Sequence, residues 1–184
     1  MSPLKSIFLF GLLTAATGAT AAQPTNTFPF GMETVKWKIS YAEVKQILSP
    51  SIPEMRAPIG APTTDQREYF WGPLAFKACT LQIWTFFAND KLDYIYVGPA
   101  YVGAVLGPVA ETCKTAMEDE LVPHFGETPR KEFISPVTHK DMGIIMNWKT
   151  PETSAIYGDA RVNLYEVGGP QPTFYDFIGP PVSK

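Results

Sequence analysis

Basic clusters, metal-ligand spacings and redox pairs are all missing from this 184-residue chain. Fifteen lysines and arginines stand against 18 acids, a net charge of −3. No run of cations marks a nucleic-acid or anionic-lipid surface. The two histidines, His124 and His139, sit outside any metal motif. A two-histidine site would have to recruit carboxylates from elsewhere. Cys79 and Cys113 are too far apart for a C-x-x-C pair, and no C-x-x-C-H haem signature is present. A G-x-S-x-G elbow, a Walker loop and a dinucleotide fingerprint are missing as well. These absences predict no cofactor, no metal and no catalytic residue. Two chemistries need no local motif and stay open. One is a cysteine nucleophile with a histidine base. The other is a carboxylate pair for glycoside hydrolysis, which depends on spatial separation alone. The acidic run Glu118-Asp119-Glu120 reads as a solvated helix face.

Long apolar runs are missing too. The longest begins the chain, in MSPLKSIFLFGLLTAATGATAAQ. Lys5 precedes an apolar stretch from Ile7 to Leu13, and Ala19-Thr20-Ala21 supplies small residues at an A-x-A position. This predicts a secretory leader over residues 1–22, cut after Ala21 or Ala22, and a periplasmic or secreted product. The competing reading is a membrane anchor, but a span needs roughly 20 apolar residues. No lipid-accepting cysteine lies at the cut. About 160 residues remain, the size of one domain. In an oxidising compartment the even cysteine pair predicts a disulfide between Cys79 and Cys113. It would close a loop of roughly 35 residues and contribute about 3–4 kcal/mol in the chain-entropy model. Two buried free thiols are the alternative.

Proline (18) and glycine (14) break the rest into short elements. Residues 23–29 read as a loose leader to the domain. Ser40-Tyr41-Ala42-Glu43 reads as a capping box, and Tyr41, Val44, Ile47 and Leu48 share one helical face. Pro50 stops that helix. Residues 49–66 read as a loop. A strand over 67–76 follows, with a break at Gly72-Pro73. The stretch CTLQIWTFFANDKLDYIYV, Cys79 to Val97, reads as a hairpin. A second helix runs from about Pro108 to Leu121, with Val109, Cys113, Ala116, Met117 and Leu121 on one stripe and Pro123 and Gly126 at its end. MGIIMNWKT, TSAIYGDA and ARVNLYEV read as three more strands. The expected architecture is α+β and two-layer: an antiparallel sheet of about six strands with two helices on one face. It occupies residues 23–167, and a Pro/aromatic-rich tail occupies 168–184. Helix plus three strands occurs twice, with Trp71 and Trp148 in similar places, which suggests two diverged repeats.

Both faces of the hairpin are apolar. A three-residue loop Asn89-Asp90-Lys91 would put Ile95 and Val97 with Cys79, Leu81, Ile83 and Phe87 on the inner face. It would collect Trp84, Phe86, Leu92, Tyr94 and Tyr96 on the outer one. A two-residue turn would pair Phe87 with Leu92 and reverse the return strand. The three-residue loop is preferred because its inner face is aliphatic. The candidate binding residues are therefore Trp84, Phe86, Tyr94 and Tyr96. They are available to a partner unless the loop 49–66, or the tail with Phe174, Tyr175 and Phe177, lies across them.

The pattern Gly31-Met32, Glu43-Val44, Ile47-Leu48, Tyr69, Trp71, Leu81, Phe87, Leu92 and Ile95 resembles a known group. It is similar to the small periplasmic α+β domains of the SmpA/OmlA outer-membrane assembly lipoproteins and of the β-lactamase-inhibitor-protein fold. The resemblance covers residues 30–97 and rests on hydrophobic spacing. METVKWKIS intervenes before the helix where that group runs straight in, and its lipid-bearing cysteine is absent. The resemblance implies a non-catalytic module that binds another envelope or secreted protein, as an inhibitor or assembly factor. The alternatives are a carrier of a small apolar ligand held between sheet and tail, and a carboxylate-dependent hydrolase.

Overall fold

The computed structural model describes residues 23–57, 67–102, 105–106, 109–134, 141–158 and 160–169. The leader, residues 58–66 of the expected loop, His139 and the tail aromatics lie outside them. The chain runs α1 (Tyr41–Leu48), β1 (Glu54–Met55), β2 (Glu68–Phe76), β3 (Cys79–Ala88), β4 (Lys91–Pro99), β5 (Tyr101–Val102) and β6 (Val105–Leu106). It continues α2 (Glu111–Phe125), β7 (Arg130–Ile134), β8 (Asp141–Lys149), β9 (Thr153–Gly158) and β10 (Arg161–Glu166). The α+β class is as expected. The sheet has eight strands rather than about six, in the order β1-β2-β3-β4-β10-β9-β8-β7, and β5 and β6 form a small ribbon of their own. All pairings are antiparallel. The unexpected β1 is two residues inside a proline-rich stretch, and β7 is a charged edge, so neither shows an apolar alternation.

A helix followed by four strands of the main sheet therefore occurs twice, and the last of each four, β4 and β10, meet at the centre of the sheet. Trp71 and Trp148 lie on the second strand of their halves, and both are core residues.

Opposed residues across the ladders share a face. One row runs Trp71, Ile83, Val97, Val162, Tyr157 and Met146 over six strands. This row joins Val44 and Leu48 of α1 and Cys113, Met117 and Leu121 of α2 in one buried core. The Trp71 indole N–H donates to Thr85 Oγ1 at 2.9 Å inside it.

α1 forms where its caps dictate. Ser40 takes the Glu43 N–H, and Glu43 takes the Ser40 N–H at 2.8 Å, so two otherwise orphaned donors are satisfied. α2 starts later and ends later than expected, with Pro123 inside its last turn. Proline removes one intrahelical bond there, yet His124 and Phe125 are buried and hold the turn in place. Gly126, at φ 86°, ends the helix, and its carbonyl accepts the Trp148 indole N–H at 2.6 Å.

Residues 23–29 are not a loose leader. The backbone N–H groups of Thr25 and Asn26 donate to the carbonyls of Pro123 and His124 at 3.2 and 2.9 Å. Carbonyls in the last turn of a helix lack intrahelical donors, and this segment supplies them. Phe28 and Phe30 then enter the core, edge-on to Trp37 and Phe76.

The cysteines are paired. Cys79 at the start of β3 bonds Cys113 in α2, with Cα atoms 5.3 Å apart. No helix among the described residues is long and apolar enough to cross a membrane.

Candidate functional site

The β3–β4 hairpin combines the two turns weighed from sequence. Its tip is a two-residue turn, with Ala88 opposite Lys91 and Phe87 opposite Leu92. Asn89 and Asp90 have φ of 52° and 57°, the left-handed pair that a tight hairpin turn needs and that Asn and Asp tolerate. The register then shifts: Phe86 faces Tyr94, leaving Asp93 as the extra residue of a bulge. Beyond it Thr85 faces Ile95 and Ile83 faces Val97. The expected three-residue loop is thus replaced by a shorter turn plus a bulge. Both routes put Ile95 and Val97 inward and Trp84, Phe86, Tyr94 and Tyr96 outward. Leu92 differs from expectation. It sits before the bulge, so it points inward and is fully buried. Asp93 is held by Lys38 at 2.7 Å. The Asp93 and Glu166 carboxylates around Lys38 raise its pKa.

On the outer face one row runs Met55, Phe70, Trp84, Tyr96, Asn163, Ile156 and Asn147. The next runs Glu68, Phe86, Tyr94, Tyr165, Ser154 and Lys149. The four candidate residues are adjacent. Trp84 lies 4.8 Å from Phe70 and 5.2 Å from Tyr96, centroid to centroid, and Phe86 lies 4.8 Å from Tyr94. Phe70, Trp84 and Tyr96 form a second buried cluster against which Met55, Phe86 and Tyr94 pack, and neither helix contributes to it. Phe70 and Met55 join the group because β1 and β2 bring them there. Alternation along 67–76 places Phe70 opposite in parity to Trp71, which the structure buries in the core.

The face is not a flat open patch. Trp84 is 9 % exposed and Tyr96 8 %, whereas Phe86 and Tyr94 are half-buried. Part of the cover comes from the rings themselves. Tyr96 lies back over its own strand, so a Cβ added at Gly98 would stand 2.7 Å from its Cζ. The Tyr94 hydroxyl donates to the Asn163 side-chain oxygen across the β4–β10 seam. Burial pushes the Tyr165 hydroxyl pKa up, against a lowering hydrogen bond with Ser154. These aromatics offer large apolar area with polar tips, the composition of interaction sites.

Elsewhere the polar groups serve the fold. His124 Nδ1 lies 2.9 Å from the Thr27 hydroxyl, and its Nε2 lies 3.7 Å from Glu120. This hydroxyl–imidazole–carboxylate line is loose, and its outer members are shared with other partners. The outer distance exceeds a hydrogen bond, Thr27 also bonds Thr25, and Glu120 faces Lys77 at 3.4 Å. It fastens the amino-terminal strap to α2. Two acids of the α2 run are likewise partnered, Glu118 by Arg130 and Glu120 by Lys77. Lys45 bridges Glu54 and the Tyr41 hydroxyl, which raises its pKa well above its usual value. That network ties β1 to α1. Among the described residues no cluster of three or more histidines, cysteines or acids could hold a metal. Compared with family models, curated proteins and solved structures, the chain matches none.

Proposed function

We propose that the protein is an exported, non-catalytic binding module that contacts another envelope or secreted protein through the outer aromatic face of its sheet. The supporting observation is the ladder Phe70, Trp84, Tyr96, Phe86 and Tyr94, built on three adjacent strands, to which neither helix contributes. Aromatic residues with polar tips concentrate binding energy at interfaces. In this reading the domain is two-layered, with both helices on the inner face, and its two helix-plus-four-strand halves are diverged copies. The aromatic outer surface belongs mainly to the first half. The second half contributes Asn163, Ile156, Asn147, Ser154 and Lys149, with Tyr165 the exception.

The reading is tested on Phe86 and Tyr94, which are half-buried, rather than on the buried Trp84. The domain and its Phe86→Ala and Tyr94→Ala variants are used to capture proteins from an envelope extract of the native source, with unfolding followed in parallel. A stoichiometric protein lost from folded variants supports the surface. The same capture profile from all three sinks it.

A second reading, a carrier of a small apolar ligand, is favoured by one observation: Trp84 and Tyr96 are under a tenth exposed, as pocket walls are. Native mass spectrometry of protein purified without denaturant separates the two, since a carrier retains a small-molecule adduct.

A further inference from the structure

We propose that Gln23 becomes the amino-terminal residue of the exported protein and closes on itself to pyroglutamate, a modification that seals the strap holding the end of α2. The proposal rests on the export reading above. Three observations converge on this residue. Ala21 and Ala22 precede it, small residues of the kind at which a leader is cut. Gln23 is exposed. From the next residue onward the chain belongs to the fold. The Pro24 ring reaches to 3.0 Å from where a Cβ on Gly126 would stand. Thr25 and Asn26 then donate to the carbonyls of Pro123 and His124, and the Thr27 hydroxyl meets His124 Nδ1. Cleavage after Ala22 thus leaves one residue outside the docked strap, and that residue is glutamine.

The chemistry needs no co-reactant. The neutral α-amine of Gln23 attacks its own side-chain amide carbon and forms a five-membered lactam. The bond from that carbon to the amide nitrogen breaks, and the nitrogen leaves as ammonia with a proton from the attacking amine. An α-amine titrates at about 7.7–8.0, so a useful fraction is nucleophilic at neutral pH. A free ammonium two residues ahead of Thr25, whose N–H donates to the last turn of α2, would be favoured by the helix dipole. That effect is at most about 1 kcal/mol near the surface, and it slows the closure without preventing it. The product is neutral and has no amine for an aminopeptidase to grip. Trimming from this end would otherwise remove, within three residues, the Pro24 contact and the Thr25 donor.

The test expresses the full chain with its own leader in a secreting host. The exported protein is held at neutral pH, and its intact mass is measured before and after labelling of α-amines. A chain beginning at residue 23, lighter by one ammonia and without a labelled α-amine, is the expected result. The Gln23→Ala variant, cut at the same place, should take the label. A labelled chain with Gln23 intact overturns the cyclisation and leaves the export reading standing. A chain beginning at Ala22 does the same. A chain that retains Met1 overturns both.

Discussion

The two halves of the sheet carry helices of opposite kinds. α1 is eight residues with a complete capping box, and its partners Ser40 and Glu43 are three residues apart. α2 is fifteen residues with Ala110 at its amino end, no side-chain cap and a proline in its last turn. What α2 lacks locally it receives from a distance. Cys79 bonds Cys113, Tyr157 donates its hydroxyl to the Lys114 carbonyl at 2.9 Å, Arg130 and Lys77 face its acids, and the strap covers its end. One helix is specified by its neighbours in sequence and the other by its neighbours in space. The halves differ on the outer face too, aromatic in the first and mainly polar in the second.

That contrast can be broken from several sides. Removing Trp84 should be costliest, because its ring is buried among Phe70, Phe86 and Tyr96. Trp84→Ala should lower unfolding free energy by about 3–5 kcal/mol in a denaturant titration. A loss near zero would mean that the first half's outer face is no structural layer. Replacing both cysteines by serine should cost about 3–4 kcal/mol by the chain-entropy model. Amide exchange in α2 should accelerate more than in α1; equal acceleration would dissolve the distinction between the helices.

Smaller effects sharpen the comparison. Ser40→Ala removes a cap worth about 1 kcal/mol, and the exchange increase should stay within α1. The Ser40 hydrogen bonds hold the Glu43 carboxyl below its usual range. Its contribution is therefore present above the unfolded value of about 4.3 and is lost as pH falls through the lower folded value. A stability profile taken down through that range should be shallower in Ser40→Ala than in the parent. Thr27→Val, which deletes the hydroxyl facing His124, should cost about 0.5–1.5 kcal/mol and loosen the end of α2 alone.

The same contrast explains what could be read in advance. α1, the strand pair around Asn89-Asp90 and the disulfide carry local or compositional signals. The outward set Trp84, Phe86, Tyr94 and Tyr96 was legible because alternation along β3 is unbroken and the return strand had only two phases to choose from. The turn length was not legible, since a two-residue turn plus a bulge at Asp93 gives the same far-end phase as a three-residue loop. Only Leu92, between turn and bulge, tells them apart. The strap and the last turn of α2 were missed for one reason. Pro123 breaks a helix in isolation, and the burial and hydrogen bonds that offset it come from residues about a hundred positions away.

The amino-terminal strap also sets an order of events. Thr25 and Thr27 find His124 at separations of 99 and 97 residues. The first part of the domain to leave the ribosome is thus among the last to dock. It must wait until α2 exists, and closing so long a loop carries an entropic cost that short-range pairs avoid. The β2–β3–β4 meander, joined by tight turns, needs no such wait. The strap can close only over a helix end that is already in place.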